Sequence, residues 1–419
     1  MSEYDAYVND LLKNARAAAS DLAVASTAQK DAALIKAADG LIAKADALQA
    51  ANEQDLAAAE KSGLSNAMMD RLRLTDKRIA DMADGLRTVA QLRDPVGEVI
   101  TGWRRPNGLD IQKIRVPLGV ILMIYESRPN VTADAAALCL KSGNAAILRT
   151  GRDAIRSSLA IHGVLADALA ASGLDPRSVQ LVNTPDRAVV NLLLQAEGRI
   201  DLVIPRGGEG LIRTVTAASR IPVIKHYKGV CHTYVDAQAD LNLAEKICLN
   251  AKVQRPSVCN AMETMLVHEN VAELFLPRIC DGLRKAGCEV RGCVRCRAIV
   301  PDMSPAEEAD WSAEYNDLVL SVRIVDSLDE AVEHIARYGS AHSDAIITRD
   351  LGHARAFAAR VDSSAVFINA STRFNDGGEF GMGAEIGIST DKLHARGPMA
   401  LPELTSYKYV VTGDGQIRE

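Results

Sequence analysis

Cys259 is the residue whose type and setting most suggest chemistry. It stands in Gln254-Arg255-Pro256-Ser257-Val258-Cys259-Asn260, a turn between a predicted helix and a predicted strand. A thiol on a loop is open to a substrate, whereas a structural cysteine usually lies inside an element. Arg255 and the local backbone N–H groups favour thiolate, the form that attacks a carbonyl carbon. The competing reading is a small buried filler, and this segment alone does not separate the two.

Other residue sets suggest anion binding. Leu148-Arg149-Thr150-Gly151-Arg152 follows a strand-like run, where a doubly wound dinucleotide fold reads the adenosine ribose. A carboxylate there bonds the 2′-OH of NAD, and an arginine accommodates the 2′-phosphate of NADP. Arg149 and Arg152, with no preceding carboxylate, therefore favour NADP(H); the alternative is a pair of solvated loop charges. Pro205-Arg206-Gly207-Gly208-Glu209-Gly210 joins a predicted strand to a predicted helix. Gly207 and Gly208 permit close backbone approach, and the helix N-terminus can meet a pyrophosphate. The spacing is not G-x-G-x-x-G, so this assignment rests on position. Cys288, Cys293 and Cys296 form a C-x4-C-x2-C cluster in which only the last pair has zinc-like spacing. Zinc sites usually show two ligand pairs, so no metal is expected. A binding or redox-sensing protein built on that cluster is the rival from another functional class. His232, His268, His334, His342 and His394 occur singly and read as surface or hydrogen-bonded core residues.

The elements that must position these residues follow from periodicity. Residues 3–92 read as alanine-rich amphipathic helices, with Leu34, Ile35, Ala38, Leu41 and Ile42 at helical spacing. Residues 97–117 alternate around Pro106-Asn107-Gly108, the pattern of a hairpin that must pack on something else. From Gly119 onward, strands at 120–124, 145–148, 179–182, 202–204 and 223–224 alternate with helices. Val120-Ile121-Leu122-Met123-Ile124 is the uninterrupted apolar run of a parallel strand buried on both faces. This alternation predicts a doubly wound parallel sheet. After Gly229 a second α/β pattern runs to 365–368, followed by an irregular glycine-rich stretch at 372–390 and a closing strand at 407–411.

The segment Asn369-Ala370-Ser371-Thr372-Arg373-Phe374-Asn375-Asp376-Gly377-Gly378-Glu379-Phe380-Gly381-Met382-Gly383, continued by Glu385-Ile386-Gly387-Ile388-Ser389-Thr390, resembles the signature of the aldehyde dehydrogenase superfamily. With Tyr125-Glu126-Ser127-Arg128-Pro129-Asn130 and the Cys259 turn, the resemblance is to the branch that reduces gamma-glutamyl phosphate, from about residue 5 to 412. It implies an NADPH-dependent reduction of L-glutamyl 5-phosphate to L-glutamate 5-semialdehyde in proline biosynthesis. In that reaction the Cys259 thiolate expels phosphate and forms a thioester. The alternative is another acyl-transferring dehydrogenase of the superfamily, CoA-acylating or hydrolytic. Asn130 and the backbone N–H of Cys259 become candidate oxyanion donors, although Asn130 also reads as a helix N-cap. Glu314 resembles the glutamate that holds the nicotinamide ribose, and Phe380 the aromatic residue near that ring. Arg128, Arg255 and Arg373 become candidate donors to the substrate's anionic groups. Hydrolytic members carry a water-activating glutamate where this chain reads Ile224-Lys225-His226-Tyr227. Lys225 and His226 are instead candidate phosphate or carboxylate contacts, or an ordinary polar strand end.

The expected fold is thus α/β and aldehyde dehydrogenase-like. Residues 1–96 and 118–228 would form a Rossmann-like NADPH domain, with 389–403 packing back on it. Residues 229–388 would form the catalytic domain, and 97–117 with 404–419 an oligomerisation arm giving at least a homodimer. The 48 basic and 54 acidic residues leave a net charge of −6, no case for nucleic acid or an anionic membrane. The acidic N-terminus has no signal-peptide core, and no run of about 18 apolar residues suggests a membrane helix. Eight irregularly spaced cysteines fit reduced thiols in the cytoplasm. Acyl phosphates are labile, so transient contact with glutamate 5-kinase is an expectation of the pathway, though no residue here argues for it.

Overall fold

The structure, a computed structural model, describes residues 3–418. It divides into two compact units. The first holds the described residues up to Lys225, Met382–Gly387, and those from Met399 onward; the second holds His226–Gly381 and Ile388–Pro398. The segment expected to return to the first unit at 389–403 therefore does so only from Met399.

In the first unit the predicted helical region is five helices, Asp5–Leu22, Thr27–Ala43, Ala45–Lys61, Asn66–Leu72 and Asp76–Gln91. Local chemistry sets their ends. Ser26 and Gln29 form a capping box at the second helix, and Thr75 caps the fifth. A four-stranded parallel sheet follows, in the order Val179–Leu181, Ala145–Arg149, Val120–Tyr125, Leu202–Arg206. Its central strand, VILMIY, is buried throughout. The fifth expected strand, at 223–224, is reduced to a bridge between Val203 and Val223. The segment Arg152–Ala171 is long and apolar enough to cross a bilayer by length and composition. Here, however, Ile161, Val164 and Leu165 are buried, and the helix Ile155–Ala171 packs on Thr27–Ala43 and Ala45–Lys61.

The expected hairpin is present as Val99–Arg104 and Asp110–Pro117, joined by a turn in which Gly108 has φ +93°. Only glycine adopts that angle without strain. Thr405–Thr412 adds a third antiparallel strand along Asp110–Pro117.

The second unit is built on a seven-stranded parallel sheet. Its order is Ser304–Pro305, Glu289–Gly292, Val319–Val325, Met262–His268, Cys231–Val235, Ser343–Ile347, Ala365–Ile368. Two of these strands, Glu289–Gly292 and Ser304–Pro305, and the helix Val294–Ile299 between them, are absent from the sequence reading. They are too short and charged to show a period. Arg291 becomes tolerable inside the sheet because Glu289 and Asp310 neutralise it, at 2.9 and 2.8 Å.

Candidate active site

The residues singled out from sequence fall in both units, and each set is described within its own. In the second unit the sheet brings Cys259 beside two histidines. Met262–His268, Cys231–Val235 and Ser343–Ile347 are adjacent parallel strands. Cys259 lies just before the first, His226 before the second and His342 before the third. Parallel alignment therefore gathers the three residues at one end of the sheet. Their ligand-type atoms all lie within 4.8 Å of one another. The imidazoles of His226 and His342 have centroids 5.5 Å apart and planes at 71°.

His226 Nδ1 is 2.8 Å from the carbonyl oxygen of Ile388. A carbonyl only accepts, so Nδ1 carries the proton and the neutral ring keeps its lone pair on Nε2. His342 Nδ1 lies 2.8 Å from Ser343 Oγ and 3.8 Å from Cys231 Sγ. Cys231 donates its thiol to the Cys259 carbonyl at 3.2 Å. Burial raises the Cys231 thiol well above the usual range, so it packs and does not react.

The Cys259 turn is clamped from the C-terminal motif. Asn260 donates to the carbonyls of Arg373 (3.3 Å) and Asn375 (3.0 Å), and its own carbonyl accepts from Thr372 Oγ1 at 2.7 Å. Arg373 donates Nε to Gln254 at 2.8 Å and Nη1 to the Asn260 side chain. It thus ties together the two ends of the turn that carries the thiol. Burial, then the like charge of Arg255, holds the Arg373 guanidinium below its usual pKa, with Cys259 among the groups opposing that shift. On the other side the backbone of Gly229 touches that of Cys259. A Cβ on Gly229 would come within 1.9 Å of the Cys259 oxygen, so no side chain fits. Gly229 donates its N–H to Glu314 Oε1 at 2.8 Å, which spends one carboxylate oxygen of the expected ribose contact on holding this backbone. Phe380 is 43% exposed, with its ring 6.2 Å from Phe367.

In the first unit Arg149 is half-buried and donates Nη2 to the Pro185 carbonyl at 2.9 Å. Its Nε is buried with no hydrogen-bond partner. Burial, followed by repulsion from Arg187, lowers its pKa. An orphaned donor between like charges fits an anion. Arg152 is exposed in the adjoining 3-10 turn. The helix Glu209–Ala218 follows Gly207 and Gly208, but Gly208 N–H donates to Glu126 Oε2 at 3.0 Å. A carboxylate therefore already complements the dipole at the place expected for a pyrophosphate. Asn130 opens the helix Asn130–Lys141 one residue after the N-cap, Pro129, so it is not the cap. Its amide donates to Asp134 at 3.0 Å, and burial holds that carboxyl up at about 6. Arg128 is exposed just before this helix, and Lys225 is the last residue of the unit before His226.

A model of the aldehyde dehydrogenase family matches residues 3–289. The chain belongs to the aldehyde dehydrogenase family. A gamma-glutamyl phosphate reductase from Moorella thermoacetica is 56% identical over 407 residues, 97% of each chain. One from Carboxydothermus hydrogenoformans is 55% identical, over 98% of this chain and 99% of its own. The crystal structure of gamma-glutamyl phosphate reductase from Thermotoga maritima superposes with a TM-score of 0.97 at 46% identity. It covers 98% of this chain and 100% of its own. The paired parallel α/β units are the aldehyde dehydrogenase fold.

His342, which lies beside Cys259, is a residue that sequence reading set aside as an isolated histidine. The only signal was its place before a predicted strand, Ala345–Ile347, and strand order is not written in the spacing. The Cys288–Cys296 cluster does not become a ligand set. Cys293 and Cys296 touch at 3.5 Å, but among the described residues no third His, Cys, Asp or Glu joins them in a metal-binding group.

Proposed function

We propose that the chain reduces L-glutamyl 5-phosphate to L-glutamate 5-semialdehyde with NADPH and releases phosphate, through a thioester on Cys259, as the second step of proline biosynthesis. The observation that carries this reading is the Cys259 thiol grouped with His226 and His342 on a turn clamped by residues 372–375. The gamma-glutamyl phosphate reductases at 55–56% identity support the choice of substrate. Eight free cysteines fit a reducing compartment such as the cytoplasm.

The lone pair on His226 Nε2 accepts the Cys259 thiol proton. The thiolate attacks the acyl carbon, the carbon–oxygen bond to phosphate breaks, and phosphate leaves with the electron pair. Asn130, whose amide keeps a second N–H beyond the one bonded to Asp134, and the backbone N–H of Cys259 are the proposed oxyanion donors. Arg255 and Arg373 supply positive charge beside the thiol for the departing anion. Bound NADPH would supply the hydride that takes the thioester to the aldehyde level; Arg149, with Arg187 and Arg152, would hold its 2′-phosphate. Cys259 Sγ then leaves as thiolate. Glu314 and Phe380 are proposed for the nicotinamide side, and Arg128 and Lys225 for the substrate's anionic groups.

The test is oxidation of glutamate semialdehyde with NADP⁺, followed as NADPH absorbance. The rate should require phosphate or arsenate, and NADP⁺ should be favoured over NAD⁺. Arg149→Gln should reduce that preference by about tenfold, the worth of one charge-assisted contact. An equal rate without phosphate or arsenate would place the chain among the hydrolytic enzymes.

The three-stranded sheet is proposed as a subunit contact. Its outer strands, Val99–Arg104 and Thr405–Thr412, each have an unpaired edge. Trp103, Tyr409 and Val411 are 41%, 54% and 54% exposed. Light scattering on a sizing column should give a dimer or larger assembly, and Val411→Lys should shift it toward monomer. A monomer at micromolar concentration counts against the proposal.

A further inference from the structure

We propose that His226, Cys259 and His342 form a binding site for a soft divalent cation of the zinc class, and that its occupancy reversibly switches off the nucleophile. The donor atoms of the three side chains all lie within 4.8 Å of one another. Bonds of about 2.0–2.3 Å in tetrahedral zinc geometry put ligand atoms about 3.3–3.8 Å apart. Closing that gap takes about 1 Å of side-chain movement. Two imidazoles and a thiolate suit zinc, whereas magnesium and calcium take oxygen donors.

The surroundings are those that orient metal-bound histidines. His226 donates Nδ1–H to the Ile388 carbonyl at 2.8 Å, which fixes the ring and aims the lone pair of Nε2 outward from that contact. Ser343 Oγ, 2.8 Å from His342 Nδ1, steadies the second ring, which is fully buried. The two ring planes stand at 71°, so they can present nitrogens to one point from different directions. Cys259 is only half-buried, which leaves an entry path. Three protein ligands leave the fourth position to water, as in exchangeable zinc sites and unlike closed structural ones.

Binding exchanges one proton for one metal–sulfur bond: the thiol releases H⁺, the thiolate coordinates, and no oxidant is needed. The same sulfur and nitrogen lone pairs cannot then serve as nucleophile and base, so metal and acyl group exclude each other. The site depends only on the three ligands and not on the identity of the acyl substrate.

The test uses the full chain freed of metal and titrated with zinc or cobalt(II). One ion per chain should bind, and cobalt should give a sulfur-to-metal charge-transfer band that is missing in Cys259→Ser. His226→Gln and His342→Gln should each weaken zinc binding by more than about tenfold. Buried His342 is the riskier substitution for folding, so the wild-type chain carries a second readout. Stoichiometric zinc should slow iodoacetamide labelling of the Cys259 peptide at least tenfold, with recovery on chelation. Undiminished labelling of Cys259 under saturating zinc would overturn the proposal, as would equal zinc affinity in wild type and folded His226→Gln. Neither result bears on phosphate dependence, so the reductase reading stands or falls separately.

Discussion

Cys259→Ser is expected to lower turnover in the phosphate-dependent assay by about four to six orders of magnitude, the loss seen when a covalent nucleophile is removed. A serine hydroxyl beside His226 is far less ionised than a thiol and gives an ester in place of a thioester. The melting temperature should hardly move, because the backbone of Cys259, more than its side chain, carries the packing. Its carbonyl accepts from Cys231, and its Cα and carbonyl meet Gly229. Replacing a half-buried sulfur by oxygen on this turn should cost less than about 1 kcal/mol. Steady-state rates and a thermal melt on the same preparation separate loss of chemistry from loss of fold. More than one per cent residual turnover would remove Cys259 from the mechanism.

Lys252→Met is expected to produce the largest stability change. Lys252 Nζ and Glu263 Oε2 lie 2.6 Å apart, and both side chains are fully buried. Glu263 also accepts the N–H of Asn316 at 3.2 Å, in a left-handed position (φ +55°) two residues after Glu314. The pair thereby holds the loop whose Glu314 bonds Gly229, which packs on the backbone of Cys259. Removing one partner of a buried ion pair leaves an uncompensated charge and costs about 3–5 kcal/mol. Burial already holds the Glu263 carboxyl up at about 7 despite the attraction of Lys252, and without that lysine it should rise further. An unfolded glutamate titrates near about 4.3. The folded state therefore loses stability as pH rises from the unfolded value through the folded one. The deficit of Lys252→Met should be largest at pH 8 and shrink toward pH 5, where Glu263 can take up a proton. Urea denaturation at both pH values measures it, and Lys252→Met/Glu263→Leu should recover most of the loss. The same deficit at pH 5 and pH 8 would show that packing, and not the buried carboxylate, sets the cost.

Much of the scaffold was legible because burial writes a period into the chain. Val120–Tyr125 is buried on both faces and reads as an unbroken apolar run. The helices of residues 5–91 repeat alanine and leucine on the faces that pack. Pro106-Asn107-Gly108 marks a turn because Gly108 must take a positive φ. Glu289–Gly292 left no such trace, since it is short and its Arg291 is neutralised by Glu289 on the same strand and by Asp310, 19 residues on. The start of the helix Glu209–Ala218, after Gly207 and Gly208, bears on local reasoning from another side. A helix N-terminus attracts an anion, but the chain itself supplies one, Glu126, from 82 residues away.

The sequence by itself determined the α/β alternation, the hairpin, the family resemblance and the candidate nucleophile. The last came through the C-terminal motif, because residues 372–375 are the physical partners of the turn that bears Cys259. Tertiary structure alone decided what surrounds the thiol. His226, Cys259 and His342 are separated by 33 and 83 residues, and no spacing rule relates them. They meet because three parallel strands lie side by side, an order fixed by packing of the whole sheet and not by any one segment. The tertiary contacts show Arg373 bracing the turn, and the sheet makes His342, unremarkable in sequence, a neighbour of the Cys259 sulfur.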